Sequence, residues 1–164
     1  MKKIIVTGGA GFIGSNLIKY LLNKKYFVIN IDKLSYSANP YNLKKFTKNK
    51  NYIFFKTDLN QRNKIIRILK KYKPHAIFNL AAETHVDRSI DDARSFIYSN
   101  ILGTYNLLEA ILVYDKKVKL IHISTDEVYG DILKGRSDEK YAYNPSSPYS
   151  SSKASADHLV KAYI

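Results

Sequence analysis

Three glycines, Gly8, Gly11 and Gly14, stand at G-x-x-G-x-x-G spacing directly after an apolar, β-branched run, Lys3 to Thr7. The residues that follow, Ser15 to Leu22, carry Leu17, Ile18, Leu21 and Leu22 at helical spacing. The order is therefore strand, tight turn, helix. Residues without a Cβ let the backbone turn sharply and approach a pyrophosphate, whose charge then sits at the helix N-terminus. Such a loop points to a bound dinucleotide and commits the chain to a narrow class of folds.

The rest of the chain agrees with that class. Phe27 to Ile31 reads as a second strand ending at Asp32, and Tyr52 to Phe55 as a third leading to Asp58. Between them, Ser35 to Asn51 reads as a loop plus a short helix, with Pro40 breaking any early helix. Gln61 to Tyr72 is an amphipathic helix, Ala76 to Ala81 a fourth strand, and 92–114 the longest helix. Val118 to Ser124 is a fifth strand, and a helix over 148–164 closes the sequence. Strands that are apolar throughout, alternating with helices, predict an α/β fold. It is a Rossmann-type doubly wound parallel sheet of strand order 3-2-1-4-5.

Asp32 sharpens the ligand. A carboxylate at the end of the second strand accepts both ribose hydroxyls and repels a 2′-phosphate, which favours NAD over NADP; Lys33 beside it softens that preference. Asp58 is placed either to meet an adenine amino group or to cap the helix after it. Leu80, Ala81 and Ala82 end the fourth strand with small residues, which suit either a passing cofactor or tight packing.

Composition enters at the net charge of +13, which a nucleic-acid binder would also show. The lysines are spread along helix ends and loops, among them Lys44, Lys45, Lys48, Lys50, Lys70, Lys71, Lys73, Lys116, Lys117 and Lys119. They read first as a solvated surface, second as a means of attracting an anionic small substrate, and last as a nucleic-acid face. With 164 residues and 45% hydrophobic content the chain is long enough for one domain. No signal-peptide core or apolar run of about 20 residues is present. Zero cysteines exclude disulfides and thiolate chemistry, and fit a reducing compartment. The expectation is a soluble, cytoplasmic protein with no metal and no membrane partner.

Tyr149 and Lys153 form Y-x-x-x-K, which on a helix puts both side chains on one face, a turn apart. A neighbouring ammonium and an oxidised nicotinamide stabilise the phenolate, so such a tyrosine can take a hydroxyl proton. In a chain with 14 tyrosines the spacing by itself is weak. It gains weight from Ser124-Thr125-Asp126-Glu127-Val128-Tyr129-Gly130. These residues follow the fifth strand, so Thr125, Asp126 and Glu127 emerge at the carboxyl edge of the sheet. By residue type that segment is equally well a solvated turn with Asp126 as a cap.

Together, the glycine loop, the serine and threonine ending the fifth strand, and Y-x-x-x-K resemble the extended short-chain dehydrogenase/reductase family. Within it, Ser124 to Gly130 and Ala81-Ala82-Glu83-Thr84-His85-Val86-Asp87-Arg88-Ser89 are similar to the sugar-nucleotide 4,6-dehydratases. The implied substrate is dTDP-glucose. The Asp-Glu pair discriminates: related sugar epimerases lack it, and GDP-mannose dehydratases usually keep the glutamate with a different residue before it.

The resemblance implies a lyase that oxidises, eliminates and reduces within one site. Tyr149, supported by Lys153 and Thr125, would deprotonate the hydroxyl at carbon 4 while hydride passes to NAD. Glu127 would then take the proton from carbon 5, Asp126 would protonate the hydroxyl leaving carbon 6, and hydride would return to carbon 6. By matching position it also implies that Gly8, Gly11, Phe12, Ile13 and Gly14 line the pyrophosphate, and Asp32, Lys33, Leu34 and Ser35 the adenosine ribose. Asp58 and Leu59 fall to the adenine, and Leu80, Ala81, Ala82 and Thr84 to the inner cofactor. Ser99, Tyr149 and Lys153 also fall to the cofactor, and Thr84 and Thr125 to the sugar. His85 is expected to be structural or supporting. Ser35, and Ser37-Ala38-Asn39, stand where the family usually has threonine and Ala-Gly-Asn.

Family members run to roughly twice this length. The expectation is thus an incomplete NAD-binding Rossmann domain over 1–164, ending before the last strands and without the C-terminal nucleotide-sugar domain. It would be a fragment or split-gene product of an active dehydratase, or a non-catalytic NAD-binding remnant. The nearest enzymatic alternative is another nucleotide-sugar dehydratase or epimerase. The resemblance further implies a homodimer through the 92–114 and 148–164 helices.

Overall fold

A computed structural model describes residues 1–115 and 117–163. Lys116, and Ile164 at the end of the expected last helix, lie outside the described residues. The chain divides into two compact units, Met1–Ala81 with Asn106–Ile123, and Ala82–Tyr105 with Ser124–Ile164.

The first unit holds a five-stranded parallel sheet: β1 (Lys3–Thr7), β2 (Phe27–Asp32), β3 (Tyr52–Lys56), β4 (Ala76–Asn79) and β5 (Lys119–His122). Their spatial order is β3-β2-β1-β4-β5, as the sequence predicts. Helices α1 (Phe12–Asn23) and α2 (Arg62–Tyr72) connect the strands. The period of two along β1 sorts its side chains between the sheet faces. Ile4 and Val6 pack with Ile18, Leu21 and Leu22 of α1. Ile5 packs with Ile65 and Leu69 of α2 and with Leu107 and Ile111. Both faces are therefore buried, which is why these strands are apolar throughout. Burying each such aliphatic side chain stabilises the fold by about 1.5–3 kcal/mol.

Local signals set the element ends. α2 stops at Lys73, which takes a left-handed backbone (φ 49°) just before Pro74. Pro40 opens a short 3-10 helix, Pro40–Phe46, instead of only breaking one, because Asn39 caps it by accepting from the Tyr41 amide. β4 is shorter than the sequence suggests. It ends at Asn79, and beyond it Ala81 donates its amide to the Thr7 hydroxyl at 3.2 Å.

The second unit departs most from expectation. The helix expected over 92–114 runs unbroken over Ala93–Tyr114, as α4 (Ala93–Phe96), a π-helical turn (Ile97–Leu102) and α5 (Gly103–Tyr114), but it is preceded by an unexpected α3 (Val86–Asp91). α5 begins in this unit and ends in the first. Asp92 separates α3 from α4 with extended backbone, and its carboxylate accepts from the Arg94 amide. Apolar periodicity carries no record of the π-helical turn or of the separate α3. Ala93–Tyr114 is also long and apolar enough, at mean hydropathy 1.2, to cross a membrane. It nevertheless contributes Phe96, Leu107, Leu108, Ala110 and Ile111 to buried positions. The unit closes with α6 (Pro148–Ala162), opened by a reciprocal cap between Ser147 and Ser150.

Candidate functional site

In the first unit the glycine loop is fixed by its own crowding. Gly8 has φ +67°, and a Cβ there would lie 2.7 Å from the Ala81 amide nitrogen. A Cβ on Gly14 would strike the Gly8 carbonyl oxygen. α1 begins at Gly11 with no side-chain cap and no acid in its first turn, so its positive end is left for an anion. Phe12 and Ile13 stand there 81% and 63% exposed.

Asp32 is buried, and both of its oxygens are used: Oδ2 accepts from the Ala10 amide at 2.9 Å and Oδ1 from the Leu34 amide at 2.7 Å. The carboxylate thus ties the glycine loop to the end of β2. Each oxygen keeps a further lone pair for a hydroxyl. Leu34 takes a left-handed backbone (φ 61°), and Ser35 accepts from the Ala38 amide. Lys33, Leu34 and Ser35 are half-buried. Asp58 accepts from the Asn60 amide at 2.8 Å, a local turn and not the helix cap weighed for it, since α2 is preceded by Gln61 with no side-chain cap; the Leu59 side chain is packed in the apolar core. Leu80 and Ala81, half-buried, follow β4. A crowded glycine cradle, an uncapped helix start and a buried carboxylate at a strand end together fit a dinucleotide.

In the second unit α6 carries Tyr149 and Lys153, both buried. The Tyr149 hydroxyl is hydrogen-bonded to the Thr125 side chain, and its ring meets Phe96 edge-on at 6.2 Å. Burial pushes the Tyr149 phenol above its ordinary value; the Thr125 hydrogen bond opposes this, and the Glu127 and Asp126 carboxylates add to it. Burial lowers the Lys153 ammonium, with Asp157 acting in the opposite sense. Thr125, Asp126, Glu127 and Tyr149 are therefore brought together, and Lys153 stands one helical turn on from Tyr149.

Asp126–Tyr129 is a 3-10 turn capped by Thr125, whose hydroxyl accepts from the Glu127 amide at 3.3 Å. The cap is Thr125 rather than Asp126, and both carboxylates are exposed, so their adjacency costs little. Thr84 and His85 are exposed just before α3; Ala82 is half-buried in the same segment and Ser99 half-buried on the π-helical turn.

Sequence reasoning missed the residues that hold these groups. Ser89 Oγ accepts from the Tyr149 amide at 3.0 Å. Asn100 accepts from the Glu83 amide and donates to the Glu83 carbonyl and to Ser152 Oγ. Asp157 lies one turn after Lys153, a spacing that reading the same helical face onward would have found. Ser89 and Asn100 carried no such signal, since their partners are distant in sequence.

The fold and these two residue sets define a Rossmann-type α/β chain with a buried tyrosine-lysine helix. The chain belongs to the family whose model is described as GDP-mannose 4,6 dehydratase, which matches residues 5–164. It is 50% identical over 174 residues to the dTDP-glucose 4,6-dehydratase of Haemophilus influenzae, covering 99% of this chain and 52% of that protein. To dTDP-glucose 4,6-dehydratase 1 of Escherichia coli it is 45% identical, covering 98% and 50%. The solved dTDP-glucose 4,6-dehydratase of Streptomyces venezuelae, with NAD bound, superposes with a TM-score of 0.93 at 38% identity, over 98% of this chain and 51% of that one. A UDP-Glc/GlcNAc 4-epimerase from Campylobacter jejuni superposes at 0.91 with 26% identity, covering 99% and 49%. The chain spans about half the length of the curated relatives it matches.

Proposed function

We propose that this chain is the NAD-binding and chemistry-bearing part of a dTDP-glucose 4,6-dehydratase, working in the cytoplasm. The observation that carries the reading is the Thr125, Asp126 and Glu127 segment hydrogen-bonded to Tyr149. The fold is shared with epimerases, whereas an elimination needs an acid and a base in addition to the tyrosine.

NAD, when bound, supplies the acceptor and donor of two electrons. Gly8, Gly11, Phe12, Ile13 and Gly14 would hold its pyrophosphate, Asp32 to Ser35 its adenosine ribose, and the backbone at Asp58 and Leu59 its adenine. Leu80, Ala81, Ala82, Thr84 and Ser99 would line its inner half. Tyr149 would take the proton of the carbon-4 hydroxyl, with Thr125 and Thr84 orienting the sugar and Lys153 stabilising the phenolate. Glu127 would remove the proton from carbon 5, which the new ketone acidifies. Asp126 would protonate the departing carbon-6 hydroxyl as water. Support for this assignment comes from the relatives' names and from the Asp126-Glu127 pair.

The family model's description names a GDP-mannose enzyme, so the sugar nucleotide must be tested. The chain, supplied with NAD, is offered dTDP-glucose, GDP-mannose and UDP-glucose in turn, both by itself and with the C-terminal half of the Haemophilus influenzae relative added. The expected result is a keto-sugar chromophore in alkali from dTDP-glucose. NAD binding with no keto-sugar in either setting would make the chain a non-catalytic remnant. The homodimer through 92–114 and 148–164 is part of the same proposal. Exposed Ile97, Tyr98, Leu102, Leu112 and Val113 favour it.

A further inference from the structure

We propose that Asp157 is a positioning residue of this reaction, clamping the turn that carries Asp126 and Glu127 onto the helix that carries Tyr149 and Lys153. One carboxylate oxygen, Oδ2, accepts from two donors at once: the Ser124 hydroxyl and, at 3.1 Å, the Tyr143 hydroxyl. Ser124 precedes Thr125, the residue that caps the turn. The Tyr143 ring meets Tyr129, the last residue of the turn, edge-on at 5.5 Å, and lies 5.3 Å from His158 of α6. Both ends of the segment 124–129, which contains the capped turn, are therefore held to α6 through one carboxylate, directly at Ser124 and by way of Tyr143 at Tyr129.

The chemistry of the clamp is matched to the task. Hydrogen bonds to an ionised acceptor are stronger than neutral ones, so two donors on one oxygen fix the turn better than its exposed backbone could. Burial, then the Asp157 charge and hydrogen bond and the nearby Tyr129, push the Tyr143 phenol up to about 12, so it stays a donor throughout the working range. The same carboxylate raises the Lys153 ammonium against the effect of burial. Two sets of reacting groups, the acid-base pair of the elimination and the tyrosine-lysine pair of the oxidation, thereby share one mechanical link.

This inference rests on the dehydratase reading, and its test has one arm independent of it. Hydrogen exchange on the full chain compares the native protein with Asp157→Ala, Asp157→Asn, Ser124→Ala and Tyr143→Phe. The expected result for Asp157→Ala is exchange over 124–130 faster by about tenfold or more, with 62–72 unchanged; the other three variants give smaller effects confined to the same residues. The second arm measures turnover of dTDP-glucose and the fraction of nicotinamide left reduced at steady state. A loosened turn slows elimination more than oxidation, so Asp157→Ala lowers kcat by about tenfold to a hundredfold and leaves more of the cofactor reduced. Exchange unchanged at 124–130, or raised equally at 62–72, overturns the clamp, as does a kcat loss with no rise in the reduced fraction. A native protein that never reduces NAD with dTDP-glucose refutes the dehydratase reading, and the exchange arm then decides the clamp by itself.

Discussion

At the scale of single residues, the electrostatics around Tyr149 are set against its proposed role. Burial and two carboxylates hold it protonated, and the Thr125 hydrogen bond eases ionisation. Replacing Glu127 by glutamine removes one of the opposing charges, so the phenol ionises at lower pH. In Glu127→Gln, the acid limb of the pH profile for NAD reduction by dTDP-glucose should move to lower pH while keto-sugar formation is lost. A limb that stays or moves up contradicts the geometry.

Lys153 makes the complementary case. Its ammonium is disfavoured by burial, so the folded-state pKa lies below the unfolded 10.5. Folding therefore costs stability wherever the lysine is charged in the unfolded chain, and the cost fades as pH rises toward 10.5. Lys153→Met should raise the thermal midpoint at neutral pH by a few degrees, on the order of 2–4 °C, and abolish turnover. A lower midpoint would show that the ammonium stabilises the fold. The residues themselves were legible: Asp32, Tyr149 and Lys153 follow from spacing and position. Their hydrogen-bond partners were not, because Ser89 and Tyr149, 60 positions apart, meet only once the chain is folded.

At the scale of elements, the π-helical turn is the informative departure. It places Asn100 inside, where one amide satisfies the Glu83 backbone and Ser152 Oγ. Such turns recur at functional sites because an inserted residue re-aims the side chains around it. Asn100→Ala leaves a buried amide and carbonyl of Glu83 without those bonds and should destabilise the chain by about 1–3 kcal/mol. Urea unfolding checks this, and an unchanged midpoint with unchanged slope would contradict it. Hydrophobic periodicity read the helix over 92–114, which the chain forms without a break, but not the π-helical stretch inside it, because the apolar residues recur closely enough through the change of register. It also extended the fourth strand over Leu80 and Ala81, which are apolar but lie past Asn79, where β4 ends. By contrast the five strands, their order and the start of α6 were legible, since alternation of apolar runs and a capped Pro148 are signals local to the chain.

At the scale of the molecule, the first unit holds the glycine loop and Asp32 and the second holds Tyr149 with the Thr125 to Glu127 segment, and the glycine loop speaks only for a dinucleotide. Likeness in fold extends equally to dehydratases and an epimerase, with TM-scores of 0.93 and 0.91, so architecture does not separate the two chemistries. The proposed separation rests on Asp126 and Glu127. A dehydratase moves the hydrogen of carbon 4 to carbon 6 of the same sugar, whereas an epimerase returns it to carbon 4. The direct measurement is therefore NMR of the product formed from dTDP-glucose deuterated at carbon 4, with the chain, NAD and the C-terminal half of a matched dehydratase present. Deuterium in the carbon-6 methyl group of a 4-keto product is the predicted result; deuterium retained at carbon 4 of an epimerised sugar would contradict it.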